Sequence, residues 1–371
     1  MRILHISSAR TRGGGERHFV DLVNALAARG HEIFVALAPG APLHAELQHL
    51  PAAQILTLPL RNALDLSSAR ALARFVRAQR VEIVHAHLGR DYPLAAFAAR
   101  GRARLVITRH VPFRLSRLHK FVLARVARVI AVSGPVAAGL RAQKIFRADK
   151  ITVVPNGIDL ARCAAFDAAA ARAEWRARLS VPTDAPLVST VGDLSPVKGP
   201  DIFVRAAAHA NERAPCAATF IVAGEDQTSA LRMRRQLEDL IAAHKLAGRV
   251  CLLGRVAELA SFLTALDVYV SASRAEAFGL AMVEAMACGV PVVATATDGA
   301  REIVEDGVTG RLVPVGAVEA LADAVVELLA DAERRAAMGA AARAAAHARF
   351  GLPRMVDATE QIYREVLAAK L

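Results

Sequence analysis

Two successive series of short apolar runs, each alternating with helix-length segments, constrain the fold of this chain more than any other feature. The first series covers residues 3–6, 33–37, 54–58, 83–85, 105–108, 129–132 and 151–154. Amphipathic stretches at 17–29 and 67–79 lie within it. The second covers 187–191, 219–223, 250–253, 268–270, 292–294 and 310–313. Runs this short cannot bury themselves, and the segments between them are long enough to cross over a sheet face. The pattern therefore predicts parallel strands in two doubly wound, Rossmann-like α/β domains. A length of 371 residues suits two domains of ordinary size. We place the first over 1–165, the second over 166–351, and a terminal helix over 352–371, with an Ala/Arg-rich helix at 164–179 inside a linker that ends near residue 185.

The densest chemistry lies in SASRAEAFGLAMVEAMACGVPVVATATDGAREI, residues 271–303. Glu276 stands in a short polar loop, Phe278-Gly279-Leu280 follows, and a helical run carries Glu284 before the turn Gly289-Val290-Pro291. A helix N-terminus offers unpaired backbone N–H groups and a positive dipole end, which suit a phosphate. Gly279 allows close approach of the backbone to a ligand. Glu284, about one turn inside, is placed to accept from ribose hydroxyls, and Glu276, at the mouth, from those of a sugar. Helices that open with Gly and close with Ala-Cys-Gly also occur for purely structural reasons, so the segment alone is not decisive.

Its company is more specific. Gly13-Gly14-Gly15-Glu16-Arg17 follows the first strand, His85-Ala86-His87 and Thr108-Arg109-His110 end two others, and Val153-Val154-Pro155-Asn156-Gly157-Ile158-Asp159 lies mid-chain. Val191-Gly192 leads to Val197-Lys198-Gly199, Gly224 ends a strand, and Gly254-Arg255-Val256 precedes the glutamates. In this order the segments resemble the retaining glycosyltransferases of family 4, over nearly the whole chain. The resemblance implies the GT-B architecture, in which two Rossmann-like domains face each other across a cleft and the terminal helix crosses back to the first.

It also implies roles. Glu276 would hold the donor sugar, Glu284 the ribose, and Lys198 with the backbone at 279–281 the diphosphate. His110 would hydrogen-bond the transferred sugar. Gly14, Gly15, Gly192, Gly224, Arg255, Phe278, Gly279 and Leu280 would line the donor. His110, Lys198 and Glu276 are the catalytic candidates. The family pairs its lysine with an arginine directly after the glycine equivalent to Gly192. Here Asp193 stands there, so one expected positive charge is missing, and Arg255 or Arg274 is a candidate replacement. Asn156-Gly157 reads as a turn.

No Asp-x-Asp pair occurs. Glycosyltransferases of the other major fold hold a divalent ion with such a pair. The expected site is therefore metal-independent, without a cofactor, and with a nucleotide sugar as donor substrate. His85 and His87 alternate onto one strand face, but the sequence offers no evident third metal ligand. Packing or acceptor-side hydrogen bonding is the preferred reading. The four cysteines, Cys163, Cys216, Cys251 and Cys288, are scattered and read as reduced.

Charge is divided unevenly. Residues 1–150 hold 24 Lys and Arg against 8 Asp and Glu, a net of +16, while the whole chain carries +12. No acidic residue occurs between Asp91 and Asp149. In that gap Arg109, Arg114, Arg117 and Lys120 surround Phe113, Leu118 and Phe121. A solvated face, a surface for anionic lipid or a lipid-linked glycan acceptor, and a nucleic-acid surface all fit such a cluster. Aromatic residues are few and no nucleic-acid motif appears, so the membrane and acceptor reading leads and nucleic acid is not an expected partner. The opening MRILHISSAR is too short an apolar run for a signal-peptide core, and no apolar run reaches 18 residues. A cytoplasmic enzyme, peripheral on the inner face of the membrane, is the expectation. It would transfer sugar to a lipopolysaccharide-core or other envelope glycolipid or polysaccharide. A nucleotide-sugar epimerase on the same fold and a basic nucleic-acid-binding protein are the alternatives.

Overall fold

The computed structural model describes residues 1–228 and 230–369. They form two compact units: Met1–Gly157 together with the C-terminal stretch from Leu352, and Ile158–Gly351.

In the first unit the described strands are β1 (Arg2–Ser7), β2 (Glu32–Leu37), β3 (Ile55–Thr57), β4 (Ile83–Ala86), β5 (Arg104–Arg109), β6 (Arg128–Ala131) and β7 (Ile151–Val153). They make a parallel sheet in the order β3-β2-β1-β4-β5-β6-β7. The central strands are apolar on both faces because helices cover both, which is why they read as continuous runs rather than alternations. Strand order reverses between β1 and β4, the position at which open sheets of this kind bind ligands beyond their carboxyl ends. The helix Leu352–Ala368 belongs to this unit. Its Met355, Val356, Ile362, Tyr363 and Val366 join the core formed by Ile3, Phe19, Leu22, Val35 and Val106. Arg29 donates to Glu360 at 2.9 Å and pairs with Asp357 at 2.7 Å, fastening the helix to Gly14–Ala28.

The second unit repeats the plan with β8 (Leu187–Val191), β9 (Thr219–Ala223), β10 (Val250–Gly254), β11 (Val268–Ser271), β12 (Val292–Thr295) and β13 (Gly310–Val313). Their order is β10-β9-β8-β11-β12-β13, again parallel, with the reversal between β8 and β11.

The boundary near residue 165 is corrected by this structure: the second unit starts at Ile158. The single helix expected at 164–179 is two, Leu160–Ala164 and Ala168–Leu179, because Asp167 accepts from Ala170 N at 2.8 Å and restarts the helix. Nor is the second piece a linker. Trp175 Nε1 donates to Ser261 Oγ at 3.0 Å, and Arg172 and Arg176 grip the buried Asp267 at 2.8 and 2.9 Å.

Candidate functional site

In the second unit a pocket opens at the carboxyl ends of β8 and β11, where strand order reverses. Gly192, Asp193 and Lys198 line it from the segment after β8, and Ser273, Glu276 and Gly279 from the segment after β11. Two helices start at its wall. Pro200–Arg213 follows Gly199 and Leu280–Ala287 follows Gly279, and neither glycine offers a side chain to cap its helix. In Pro200–Arg213 the leading residue is a proline and the Asp201 carboxylate takes the N–H groups of Asp201 and Ile202, whereas the leading N–H groups after Gly279 remain for a ligand, as an anion would satisfy them. Gly279 has φ +106°, a backbone conformation that residues with side chains rarely adopt, so the turn demands glycine.

Lys198 and Glu276 meet inside the pocket, with Nζ 2.6 Å from Oε2. Glu276 is largely buried and Lys198 is more open. The structure thus joins two residues 78 positions apart in sequence. Glu284 lies in the helix Leu280–Ala287, as its spacing predicts. The carboxylates of Glu276 and Glu284 both act on the Tyr269 hydroxyl, whose pKa is raised first by burial and then by those two charges. Lys198 is the one cation among the described residues lining the pocket.

Asp193 occupies the place of the expected arginine. Its carboxyl accepts from Gln227 Nε2 at 2.8 Å, and burial raises its pKa against the opposing pulls of Gln227 and Lys198. Of the two candidate replacements, Arg274 is held in a bidentate pair by Asp201 at 2.9 and 2.6 Å and also donates to the Pro196 carbonyl. Arg255 is exposed on the segment after β10. Gly192 and Gly224 are drawn together with Gly254: Gly192 N donates to Ala223 O at 3.0 Å and Gly224 N to Gly254 O at 2.8 Å. Phe278 lies in the core against Phe350, with ring centroids 5.5 Å apart, so only its backbone faces the loop.

Several positioning groups escaped sequence reasoning. Gly299 N donates to Glu276 O at 3.1 Å, and a Cβ on Gly299 would lie 2.7 Å from that oxygen. Thr295 Oγ1 donates to Ser273 O at 2.5 Å, tying β12 to the loop ahead of Glu276. Glycine after Thr-Asp, in the first turn of the helix Asp298–Ile303, carries no local signal of such a contact.

The first unit has its own polar cluster at the equivalent reversal. His5 and His85 are paired across β1 and β4, His87 lies just beyond β4, His110 just beyond β5, and His18 on the helix Gly14–Ala28. His5, His18, His85 and His87 are fully buried or nearly so. Burial holds His5 at about 3 and His18 at about 4, and lowers His85, His87 and His110 well below the usual value, so all five rings are neutral at pH 7. Gly15 packs on His110, and a Cβ there would be 3.4 Å from its ring, so the glycine loop and His110 do meet. Arg114, Arg117 and Lys120 are exposed, but Arg109 is not. It is buried beside Tyr92, and its guanidinium donates to the Phe113 carbonyl, which places it under the loop rather than on the surface.

The glycosyl transferases group 1 profile matches residues 171–345, and the glycosyltransferase family 4 profile matches residues 12–162. A D-inositol 3-phosphate glycosyltransferase of Xylanimonas cellulosilytica is 31% identical over 95% of this chain and 92% of its own length. One from Kineococcus radiotolerans is 39% identical over 59% of this chain, and that match spans 52% of the relative, about half, as do several others. The crystal structure of Anabaena Alr3699/HepE in complex with UDP and glucose superposes with a TM-score of 0.86 at 25% identity and covers all of both chains.

Proposed function

Since this chain belongs to glycosyltransferase family 4 and has its GT-B fold, we propose that it moves a sugar from a nucleotide-diphosphate donor to an acceptor hydroxyl with retention of anomeric configuration. The observation that carries this is the pocket at the β8/β11 reversal, where Lys198, Glu276 and the uncapped helix N-terminus after Gly279 converge. The Anabaena protein, whose structure contains UDP and glucose, supports a uridine donor.

The geometry implies an exchange of partners. Without donor, Lys198 and Glu276 neutralise each other. An arriving diphosphate offers Lys198 a stronger anion, and the released carboxylate turns to the sugar hydroxyls. The bond from the anomeric carbon to the diphosphate breaks, and the acceptor oxygen attaches on the same face. A leaving phosphate oxygen takes the acceptor proton. Lys198 and the N–H groups after Gly279 stabilise charge that grows as the diphosphate departs. Glu284 fixes the ribose, and His110 with the Gly14-Gly15 loop serves the sugar and acceptor. No divalent ion is needed on the diphosphate in this scheme.

The acceptor we propose is anionic. The relatives named for D-inositol 3-phosphate use a phosphorylated polyol, and the basic first unit suits a phosphate on either such a molecule or an envelope glycolipid. The exposed run with Phe113, Leu118 and Phe121 among Arg114, Arg117 and Lys120 would hold the enzyme on the inner membrane face. Among the described residues no helix is long and apolar enough to cross a membrane.

The direct test is a thermal-shift panel of UDP, GDP, ADP and their sugars, without added metal, on wild type and Glu284→Ala. One nucleotide should raise the midpoint by mass action, and the variant should lose the rise. A folded wild type that responds to none of them overturns the donor site.

A further inference from the structure

Asp193 stands where the family places an arginine, and the fold gives it no room to withdraw. It lines the donor pocket beside Lys198, whose stem passes over Gly192: a Cβ on that glycine would lie 3.7 Å from Lys198 Cγ and Cδ. Its backbone is held on both sides, with Gly192 N donating to Ala223 O and Leu194 N to Glu225 O, each at 3.0 Å. Its side chain is held too, since Oδ1 accepts from Gln227 Nε2 at 2.8 Å. Among the described residues Oδ2 has no hydrogen-bond partner.

An ionised carboxylate fixed there works against a diphosphate. One lysine would then face Glu276, Asp193 and the charges of both phosphates in a single pocket. Like charges that share a site do not all stay ionised, and one group takes up a proton. The oxygens of a diphosphate esterified at both ends are too acidic to do so, and Glu276 has sugar hydroxyls to accept from. Asp193 already leans that way, because burial, and then the charge of Glu225, raise its pKa against the pulls of Gln227 and Lys198.

On the donor reading given above, we propose that Asp193 holds the nucleotide sugar as a neutral acid. Its Oδ2 hydroxyl donates to a diphosphate oxygen where the family offers arginine. The proton enters from solvent as the donor binds and returns there when the nucleoside diphosphate leaves. A carboxylic acid kept neutral by its surroundings can act as such a donor, and O–H bonds to anionic oxygens are among the strong ones. Gln227 donates to Oδ1 in either state, so the acid keeps its orientation. Lys198, ahead of the helix Pro200–Arg213, and Glu225, after β9, are the charged groups that act on this carboxyl. Glu276 is engaged by Lys198. Asp226, next to Glu225, is turned away to Thr228 and to the N–H groups of Met233 and Arg234.

Protonation on binding fixes the sign of the pH dependence. Donor affinity is complete below the carboxyl's pKa in the free enzyme. It falls as pH rises from that value to the higher one in the complex, and then levels off.

The test is calorimetric titration of the full chain with UDP-glucose, which has no group titrating near neutral pH. It is run over a pH series and in two buffers of different ionisation enthalpy. GDP-glucose or ADP-glucose replaces it if the thermal panel selects another base. We expect uptake approaching one proton per donor bound, and affinity falling by up to about tenfold per pH unit over the same range. Asp193→Asn keeps an acceptor for Gln227 and donates from Nδ2. It should abolish both the uptake and the slope, as should Asp193→Arg, while Glu225→Gln should keep both. A wild type that binds donor without taking up a proton overturns the proposal and leaves the donor site standing. Uptake that survives in Asp193→Asn overturns it equally. A folded wild type that binds none of these donors brings down the donor site, and the proposal with it. If Asp193→Asn does not fold, infrared difference spectra of the wild type decide. Donor should bring up the stretch of a protonated carboxyl, and its absence refutes the assignment.

Discussion

Lys198 and Glu276 hold each other at 2.6 Å, yet the proposed donor binding needs them apart. A half-open ion pair of this kind contributes roughly 0–1 kcal/mol to folding. Lys198→Ala should therefore leave the unfolding free energy within about 1 kcal/mol of wild type while kcat falls on the order of 10²–10³-fold, as for loss of one donor to a developing anion. Urea unfolding and steady-state assay with the nucleotide sugar found in the thermal panel separate the two effects. Full turnover in the variant would sink the assigned role. At this scale the sequence was informative where chemistry is local. Glu276, Glu284 and Lys198 were visible as residue types beside glycine turns. Their contacts were not: the 78 positions between Lys198 and Glu276 are closed by the pairing of β8 with β11, and no local signal reports that.

Among elements, the short helix Asp298–Ile303 sets the Glu276 loop through Gly299. Gly299→Ala should push that loop by a few tenths of an ångström or more and weaken nucleotide-sugar binding about tenfold, at a cost of about 1–3 kcal/mol in stability for overpacking. Unchanged affinity in a calorimetric titration would mean the loop adapts. The helix Leu66–Ala78 gives a cleaner case of local design. Asp65 caps it, accepting from Ser68 N at 3.1 Å, and hydrogen bonds from Ser67, Ser68 and Arg61 hold its carboxyl below the usual range. Asp65→Ala should cost about 1 kcal/mol. Because the folded pKa is depressed, this contribution is complete above the unfolded value near pH 4 and is lost as pH falls through the folded value. The gap between wild type and variant should close in acid. Strands were legible in sequence to within a few residues, since apolar runs between helical segments allow little else. The split at Asp167 was not, because alanine-rich sequence reads as helix on either side of a cap.

Taken whole, the molecule keeps its basicity in one unit, with Leu118 and Phe121 more than two-thirds exposed beside Arg117 and Lys120. Reversing Arg114, Arg117 and Lys120 to glutamate should lower partitioning onto anionic vesicles at least about tenfold, since each basic residue near such a surface contributes about 1 kcal/mol. Neutral vesicles should show little difference in sedimentation. Binding that ignores both charge and salt would remove the membrane role. The chain path has another consequence. The second unit is one uninterrupted stretch whose ends are stitched together, Ile158 bridging Gly351 and its N–H donating to Phe350 O at 2.8 Å. On the other side of each crossing, Gly157 N donates to Met355 Sδ at 3.1 Å. The second unit is thus a cassette, spliced into its host at a single seam. A gene encoding 158–351 alone should yield a cooperative, nucleotide-binding fold, and the host should close over a direct join of Gly157 to Leu352. On the proposed division of labour, recombination at two codons would then exchange one donor specificity for another and leave acceptor recognition where it was.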